Sequence, residues 1–135
     1  MKTWIYSLVF SLSLGLPAMA QQASNIESVR AAFITQKLDL TPEESQRFWP
    51  VYNSYHEELQ KLVLKKNQQR VAYKRSGTVP VDELKVDSEI LELRKRYRHE
   101  FARVLPRQKA ALVYPAEREF RQQLIEQLNK RKKKN

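Results

Sequence analysis

The stretch LDLTPEESQRFWPVYNSYHEELQKL, residues 38–62, contains both the start and the packing face of a long helix. Thr41 is the expected N-cap, and Pro42 follows at the first helical position, where the missing N–H costs no hydrogen bond. Large apolar residues then recur at spacings of four, three, four and three: Phe48, Tyr52, Tyr55, Leu59 and Leu62. This spacing predicts a helix that packs one face against other helices.

Two prolines lie inside helical patterns, Pro50 in this stretch and Pro115 near the end of the chain. A proline inside a helix removes a backbone hydrogen bond and clashes with the preceding turn. Each proline therefore predicts a kink, or else the end of one short helix and the start of another. In either case the long helices bend, and bent helices in a hairpin form a concave, cradle-like surface.

The same kind of pattern predicts three more helices. The first begins with a capping box of Ser24 and Glu27, packs through Ile26, Val29 and Phe33, and ends near residue 38. A turn at residues 76–80, SGTVP, separates the second helix from a third at about residues 82–103. The packing face of the third helix comprises Val86, Ile90, Leu93, Tyr97, Phe101 and Val104.

A fourth helix begins around Pro106 and carries Leu112, Phe120, Leu124 and Leu128. The predicted fold is therefore all-α, a bent and elongated hairpin of four helices with kinks at Pro50 and Pro115. The second helix alone would be about 50 Å long at 1.5 Å per residue.

The first twenty residues have the composition of a signal peptide. Lys2 precedes an apolar run from about residue 4 to 16, and Ala18-Met19-Ala20 forms an A-x-A cleavage site. We expect cleavage after Ala20 and export of the chain; an uncleaved N-terminal anchor is the alternative. Residues 21–129 would then form the helical domain, and residues 130–135 a basic, disordered tail.

Composition limits the possible chemistry. The chain has no cysteine, which excludes disulfides, thiol catalysis and thiolate metal sites. Its formal net charge is +10, and without Lys2 the remaining 24 basic and 15 acidic residues leave an excess of nine. Such a charge favours anionic partners. Export argues against nucleic acid, so anionic lipid surfaces, polyanions and acidic unfolded polypeptides are the better candidates.

Basic and apolar residues alternate along the second and third helices and are our candidates for contact with a polypeptide. They are Leu64, Lys65, Arg70, Val71, Tyr73, Lys74, Arg94, Arg96, Arg98 and Arg103. Cations also favour the C-terminal ends of helices because of the helix dipole, which explains part of this pattern without any ligand.

Enzyme motifs are absent from the sequence, and we predict no catalytic activity and no cofactor. Outside the first twenty residues Gly77 is the one glycine, so no glycine-rich phosphate loop can form. Glu117 and Arg121 are spaced as an i,i+4 ion pair on a helix surface. His56 and His99 are weak candidates for a metal site; we expect them to be solvated, with His99 turned away from the packed face.

The segments LTPEESQRFWPVY and VLPRQKAALVYPAEREFRQQL resemble the Spy/CpxP family of exported helical proteins, in particular a short-chain branch described as sensors for extracytoplasmic sigma factors. The L-T-x-x-Q motif of that family corresponds to residues 40–44, with Glu44 in place of glutamine. Its second copy corresponds to residues 104–108, which keeps only the glutamine. The positions that carry the resemblance are Leu40, Thr41, Pro42, Phe48, Trp49, Pro50, Tyr52, Val104, Pro106 and Gln108.

This resemblance implies a periplasmic, bent helical cradle that is often a homodimer. It also implies ATP-independent chaperone activity or sensing of envelope stress. The partner would be an unfolded polypeptide, or else a single membrane regulator of an extracytoplasmic sigma factor. Contact of the basic tail with an anionic membrane is a weaker expectation.

Overall fold

The computed structural model describes residues 18–77 and 82–134 of the chain, which contain five α-helices and no strand. These helices are α1 (Ala18–Leu38), α2 (Pro42–Ser76), α3 (Glu83–Val104), α4 (Arg107–Ala111) and α5 (Val113–Lys132). The prediction of an all-α fold is confirmed. The predicted signal peptide falls mostly on residues 1–17, which lie outside the described residues.

Both ends of α2 follow from local sequence. The Thr41 hydroxyl accepts a hydrogen bond from the Glu44 N–H (3.2 Å), and the Glu44 carboxylate accepts one from the Thr41 N–H (3.0 Å). This reciprocal capping box confirms Thr41 as the N-cap. At the other end Gly77 has a φ of 62°, a left-handed conformation that glycine adopts without strain, and donates its N–H to the carbonyl of Tyr73.

The helices α2 and α3 pack side by side in opposite directions. Asp82 caps α3 by accepting a hydrogen bond from the Lys85 N–H at 3.0 Å. Further along, the Tyr97 hydroxyl donates to Glu58 at 2.6 Å, and the rings of Tyr55 and Phe101 lie 5.8 Å apart. The sequence predicts a similar register, since a hairpin that turns near residue 78 places residue 56 opposite about residue 101. Residues 78–81 of the predicted turn lie outside the described residues.

The two internal prolines have different effects. Pro50 lies within α2, which continues through it as a single helix. Pro115 instead follows a break at Leu112 between two helices, which is the stated alternative to a kink, so the expected count of four helices is wrong in the described part of the chain. The reason is steric, because the Pro115 ring would clash with the carbonyl of Ala111, where α4 ends. Pro115 itself lies in the first turn of α5, where its missing N–H costs nothing.

The first helix differs from its prediction. It begins at Ala18, so Ser24 lies in the helix interior rather than at an N-cap. From residue 25 onward, where burial is described, the buried residues of α1 are Ile34 and Leu38, whereas Val29 is exposed. Several consecutive apolar residues around Phe33 permit more than one packing face, and contact with α5 selects the face that contains Ile34.

The core is an aromatic cluster between α2, α3 and α5. Its centre is formed by Phe48, Tyr52, Tyr55 and Phe101, whose rings contact one another with centroids 5.4–6.5 Å apart. The apolar residues Val113 and Ala116 close it from α5, while Leu112 and Leu128, which we expected to be buried, are half exposed. Among residues 25–134 whose burial the structure describes, none that precedes Phe33 belongs to this core cluster.

The C-terminal helix also extends further than predicted. It continues to Lys132 and is followed by a turn at residues 133–134, where the sequence predicts a disordered tail from residue 130. No glycine or proline interrupts it after Pro115, and basic residues in its last turn favour the negative end of the helix dipole. None of the described helices is long and apolar enough to span a membrane.

Candidate functional site

The distal hairpin, which we define as residues 60–76 of α2 and 82–92 of α3, extends beyond the aromatic core. Val86 is its one buried side chain among the residues that the structure describes. The rest of the segment is half-buried or exposed. Most of its surface is therefore accessible to a partner, and few contacts hold its two helices together.

Large apolar side chains are exposed on both helices of the distal hairpin. Leu64 and Val71 on α2 retain 57% and 49% of their accessible surface, and Leu84 and Leu91 on α3 retain 82% and 52%. Each pair is seven residues apart, which places its members on one side of a helix. Leu84 and Leu91 each lie two residues before a buried residue, Val86 and Leu93, and so point away from α2. The distal hairpin thus carries an exposed apolar stripe on each of its two helices, and the stripe of α3 points away from α2.

Basic residues flank the stripe on α2, Leu64 with Val71. Residues 60–76 contain six basic residues and no acidic one. Two of the lysines form ion pairs across the hairpin, Lys65 with Glu89 at 3.2 Å and Lys66 with Asp87 at 2.7 Å. Lys74 has no ion-pair partner among the described residues, and Tyr73 beside it is half exposed. The distal part of α2 therefore remains positively charged after pairing with α3. Arg70, another candidate, is exposed on the same segment.

The candidate arginines of α3 lie in different environments. Arg96 pairs with Glu58 across the hairpin, and Arg103 pairs with Glu100 at 3.3 Å on its own helix. Arg98 is exposed and has no ion-pair partner in the described part of the chain. Arg94 does not fit the predicted role, because it packs inward with its guanidinium 5.8 Å from the centre of the Tyr114 ring. Arg94 follows Leu93 and lies on the side of α3 that faces α5, so it is not part of the candidate surface.

A polar cluster that the sequence did not predict joins α2 to α5 inside the core. The hydroxyls of Tyr52 and Tyr55 donate to the two carboxylate oxygens of Glu117 at 2.9 and 3.1 Å. Burial raises the pKa of Glu117, and these two hydrogen bonds partly offset that effect. Burial and the nearby carboxylate also raise the pKa of Tyr55 to about 12. Glu117 is thus a half-buried group that accepts hydrogen bonds from two core tyrosines, not half of an exposed pair with Arg121.

Arg94 completes this cluster from α3. The Tyr114 hydroxyl donates to the Arg94 carbonyl at 2.7 Å, while the Nε of Arg94 is buried without a hydrogen-bond partner. The cluster is enclosed by the aromatic core, so its role is to fix α5 against the α2–α3 pair. The sequence contained one signal for this cluster. The helical spacing of Tyr52 and Tyr55 predicted that both tyrosine side chains pack in the core.

The two histidines lie in different surroundings. His56 faces α1, where Arg30 Nη1 lies 2.7 Å and the Glu27 carboxylate 3.6 Å from its Nε2. Burial, and then the charge of Arg30, lower the pKa of His56, so that it accepts a hydrogen bond from Arg30 as a neutral ring. His99 is exposed. Within the described ranges no three histidine or carboxylate side chains are grouped to hold a metal ion.

The residues that carry the family resemblance lie at structural positions. Thr41 and Pro42 begin α2, and Pro106 is the N-cap of α4. Phe48 and Tyr52 are buried in the core, with Leu40, Trp49 and Val104 packed half-buried against it. Gln108 is exposed. These positions form and join the helices and do not line a common cleft.

No protein-family model, curated protein or solved structure matches this chain.

Proposed function

We propose that this protein is an exported, ATP-independent chaperone or envelope-stress adaptor that binds unfolded or partner polypeptides along its distal hairpin. The observation that carries the proposal is the pair of exposed apolar stripes, Leu84 with Leu91 on α3 and Leu64 with Val71 on a segment of α2 that carries no acidic residue. The resemblance to Spy/CpxP proteins and the signal-peptide pattern support the activity and a periplasmic location, with the chain processed to begin at Gln21.

The physical case combines weak apolar contact with electrostatic attraction. Burying one leucine or valine completely contributes about 1.5–3 kcal/mol. Four side chains that are already partly buried would contribute about 4–7 kcal/mol, which is comparable to the cost of association, so apolar contact alone gives weak binding. A chaperone that releases its client without ATP requires such reversible binding. Positive charge raises the rate of encounter with acidic segments, and salt screens this attraction.

The test measures suppression of aggregation by residues 21–135, a form that retains every residue of the described core. A chemically unfolded acidic client is diluted into buffer with and without the protein, at low and at high salt. We expect suppression at stoichiometric amounts that weakens as salt is raised. Circular dichroism of the same samples establishes that the protein is helical in both buffers.

A pair of variants locates the surface. Leu64→Ser, Val71→Ser, Leu84→Ser and Leu91→Ser together should abolish most of the suppression. The matched control Val29→Ser with Ile125→Ser changes exposed apolar residues elsewhere and should leave it intact. Equal loss in both variants would contradict binding at the distal hairpin. A folded wild-type protein that gives no suppression at several-fold excess would overturn the general chaperone and direct the search to one membrane regulator.

A further inference from the structure

The N-terminal end of α1 and the C-terminal end of α5 lie at the same end of a two-helix pair. Residues 109–120 contact residues 30–39 in opposite chain directions. The contacts are Lys109 with Asp39, Glu119 with Lys37, and Phe120 with Arg30. From the last contact α1 extends back to Ala18 and α5 extends forward to Lys132, each for about 18 Å. We call the region formed by residues 18–25 and 125–134 the terminal end.

The terminal end carries a run of five consecutive basic residues. Residues 130–134, KRKKK, are all exposed, and none of them pairs with an acidic side chain in the described part of the chain. The helix dipole favours cations in the last turn of α5, which accounts for part of the run. It does not account for Lys133 and Lys134, which follow the helix. The unpaired charge is therefore available to an external anion.

Apolar side chains lie directly beside this charge. Ile125 and Leu128 are about half exposed. Arg121, Ile125, Leu128 and Lys132 succeed one another at spacings of four, three and four residues and so share one side of α5. An apolar pair between two long cationic side chains is the pattern of helices that lie at a membrane interface, where the apolar groups enter the acyl boundary and the cations reach the headgroups.

We propose that the terminal end docks on the surface of an anionic lipid bilayer, through residues 130–134 with Ile125 and Leu128. The chain outside the structure supports a membrane as the occupant, since the apolar run of residues 4–16 directly precedes Ala18. If the apolar run is held in a bilayer, before cleavage or permanently, the start of α1 lies at that bilayer. The basic residues 130–134 then lie beside the same bilayer, because the end of α5 is at the same end of the helix pair. After cleavage the charge would keep the protein at the membrane reversibly.

The test measures sedimentation of residues 21–135 with vesicles. One set contains phosphatidylcholine only, and the other contains phosphatidylcholine with about a third phosphatidylglycerol. A basic residue near an anionic surface increases partitioning roughly fivefold, so Lys133→Gln with Lys134→Gln should lower the partition coefficient about 25-fold. The matched control Lys74→Gln with Arg75→Gln removes the same charge from the distal hairpin and should lower it less than threefold.

A second variant tests the apolar pair. Ile125→Ser with Leu128→Ser should lower binding to the anionic vesicles several-fold without loss of helicity, because both side chains are exposed. Three results would overturn the proposal. The wild-type protein binds both vesicle sets equally, or it binds neither at low salt, or the Lys133/Lys134 and Lys74/Arg75 variants lower binding to the same extent. Binding to soluble heparin without binding to vesicles would do the same and would indicate a polyanion site.

Discussion

Glu117 is the half-buried carboxyl group through which pH acts on the packing of α5 against α2. Its folded-state pKa is raised, chiefly by burial, so the folded protein holds this proton more tightly than the unfolded chain does. The stabilisation that follows is fully present below the unfolded pKa of about 4.3 and is lost as pH rises through the folded pKa. At neutral pH the charged form therefore costs stability.

The substitution Glu117→Gln tests this sign. Glutamine keeps the shape and one acceptor for the tyrosine hydroxyls but removes the charge. We expect the variant to be more stable than the wild-type protein at pH 7, with the difference shrinking towards pH 4. Urea unfolding of both proteins from pH 4 to pH 7 measures the difference in their free energies of unfolding. The contributions of the other carboxyl groups are the same in both proteins and cancel in that difference.

A smaller side chain at the same position supplies the control. Glu117→Ala leaves the hydroxyls of Tyr52 and Tyr55 without their acceptor and should be less stable than Glu117→Gln by about 2–4 kcal/mol at every pH in the range, since neither side chain ionises. A Gln variant that is less stable than wild type at pH 7 and equal to it at pH 4 would show that the carboxylate is stabilising as an anion.

At the scale of elements, the α2–α3 pair has two parts of unequal stability. The proximal part contains Tyr55, Leu93 and Phe101 and belongs to the core, whereas the distal hairpin has Val86 as its buried side chain in the described ranges. Its cross-hairpin ion pairs are exposed and contribute at most about 1 kcal/mol each. Local opening of the distal hairpin should therefore require less free energy than global unfolding.

Val86→Ala tests this division. Loss of two buried methyl groups should lower the opening free energy of the distal hairpin by about 1–2 kcal/mol. Amide hydrogen exchange should accelerate at residues 62–72, while the amides of residues 51–58 keep their protection. In contrast, Phe101→Ala should cost about 3–5 kcal/mol and accelerate exchange throughout. Uniform acceleration by Val86→Ala would mean that the hairpin unfolds as one unit.

The sequence was informative about elements where one local device sets a boundary. Thr41, Pro42 and Gly77 define the two ends of α2, and alternating spacings of three and four identify the seam through Phe48, Tyr52 and Tyr55. The choice between a kink and a break at Leu112 could not be made from the sequence, because Pro115 permits either one and only the clash with Ala111 selects between them. The start of α1 was wrong, since Ser24 is as compatible with a helix interior as with a cap.

At the scale of the whole molecule, the burial of individual side chains was harder to predict from the sequence. It depends on which further helix packs against a given face of the α2–α3 pair. Arg94 and Glu117 look like surface residues within their own helices. They become buried partners only when α5 crosses the α2–α3 pair. Exposed residues such as Leu64 and Val71 were identified correctly, since the apolar pattern of α2 thins where no third helix reaches it.

Molecular shape gives the last prediction, on which the distal-hairpin proposal depends. A compact monomer of this length has a radius of gyration of about 13 Å, and a compact dimer about 17 Å. Helix α2 alone is about 52 Å long, and a rod of that length has a radius of gyration near 15 Å. Small-angle X-ray scattering of residues 21–135, with the mass determined by light scattering in the same run, should therefore give a radius of gyration of about 15 Å for a monomer, above the compact value. A compact value would mean that the distal hairpin folds back on the core, where its apolar stripes could not receive a client.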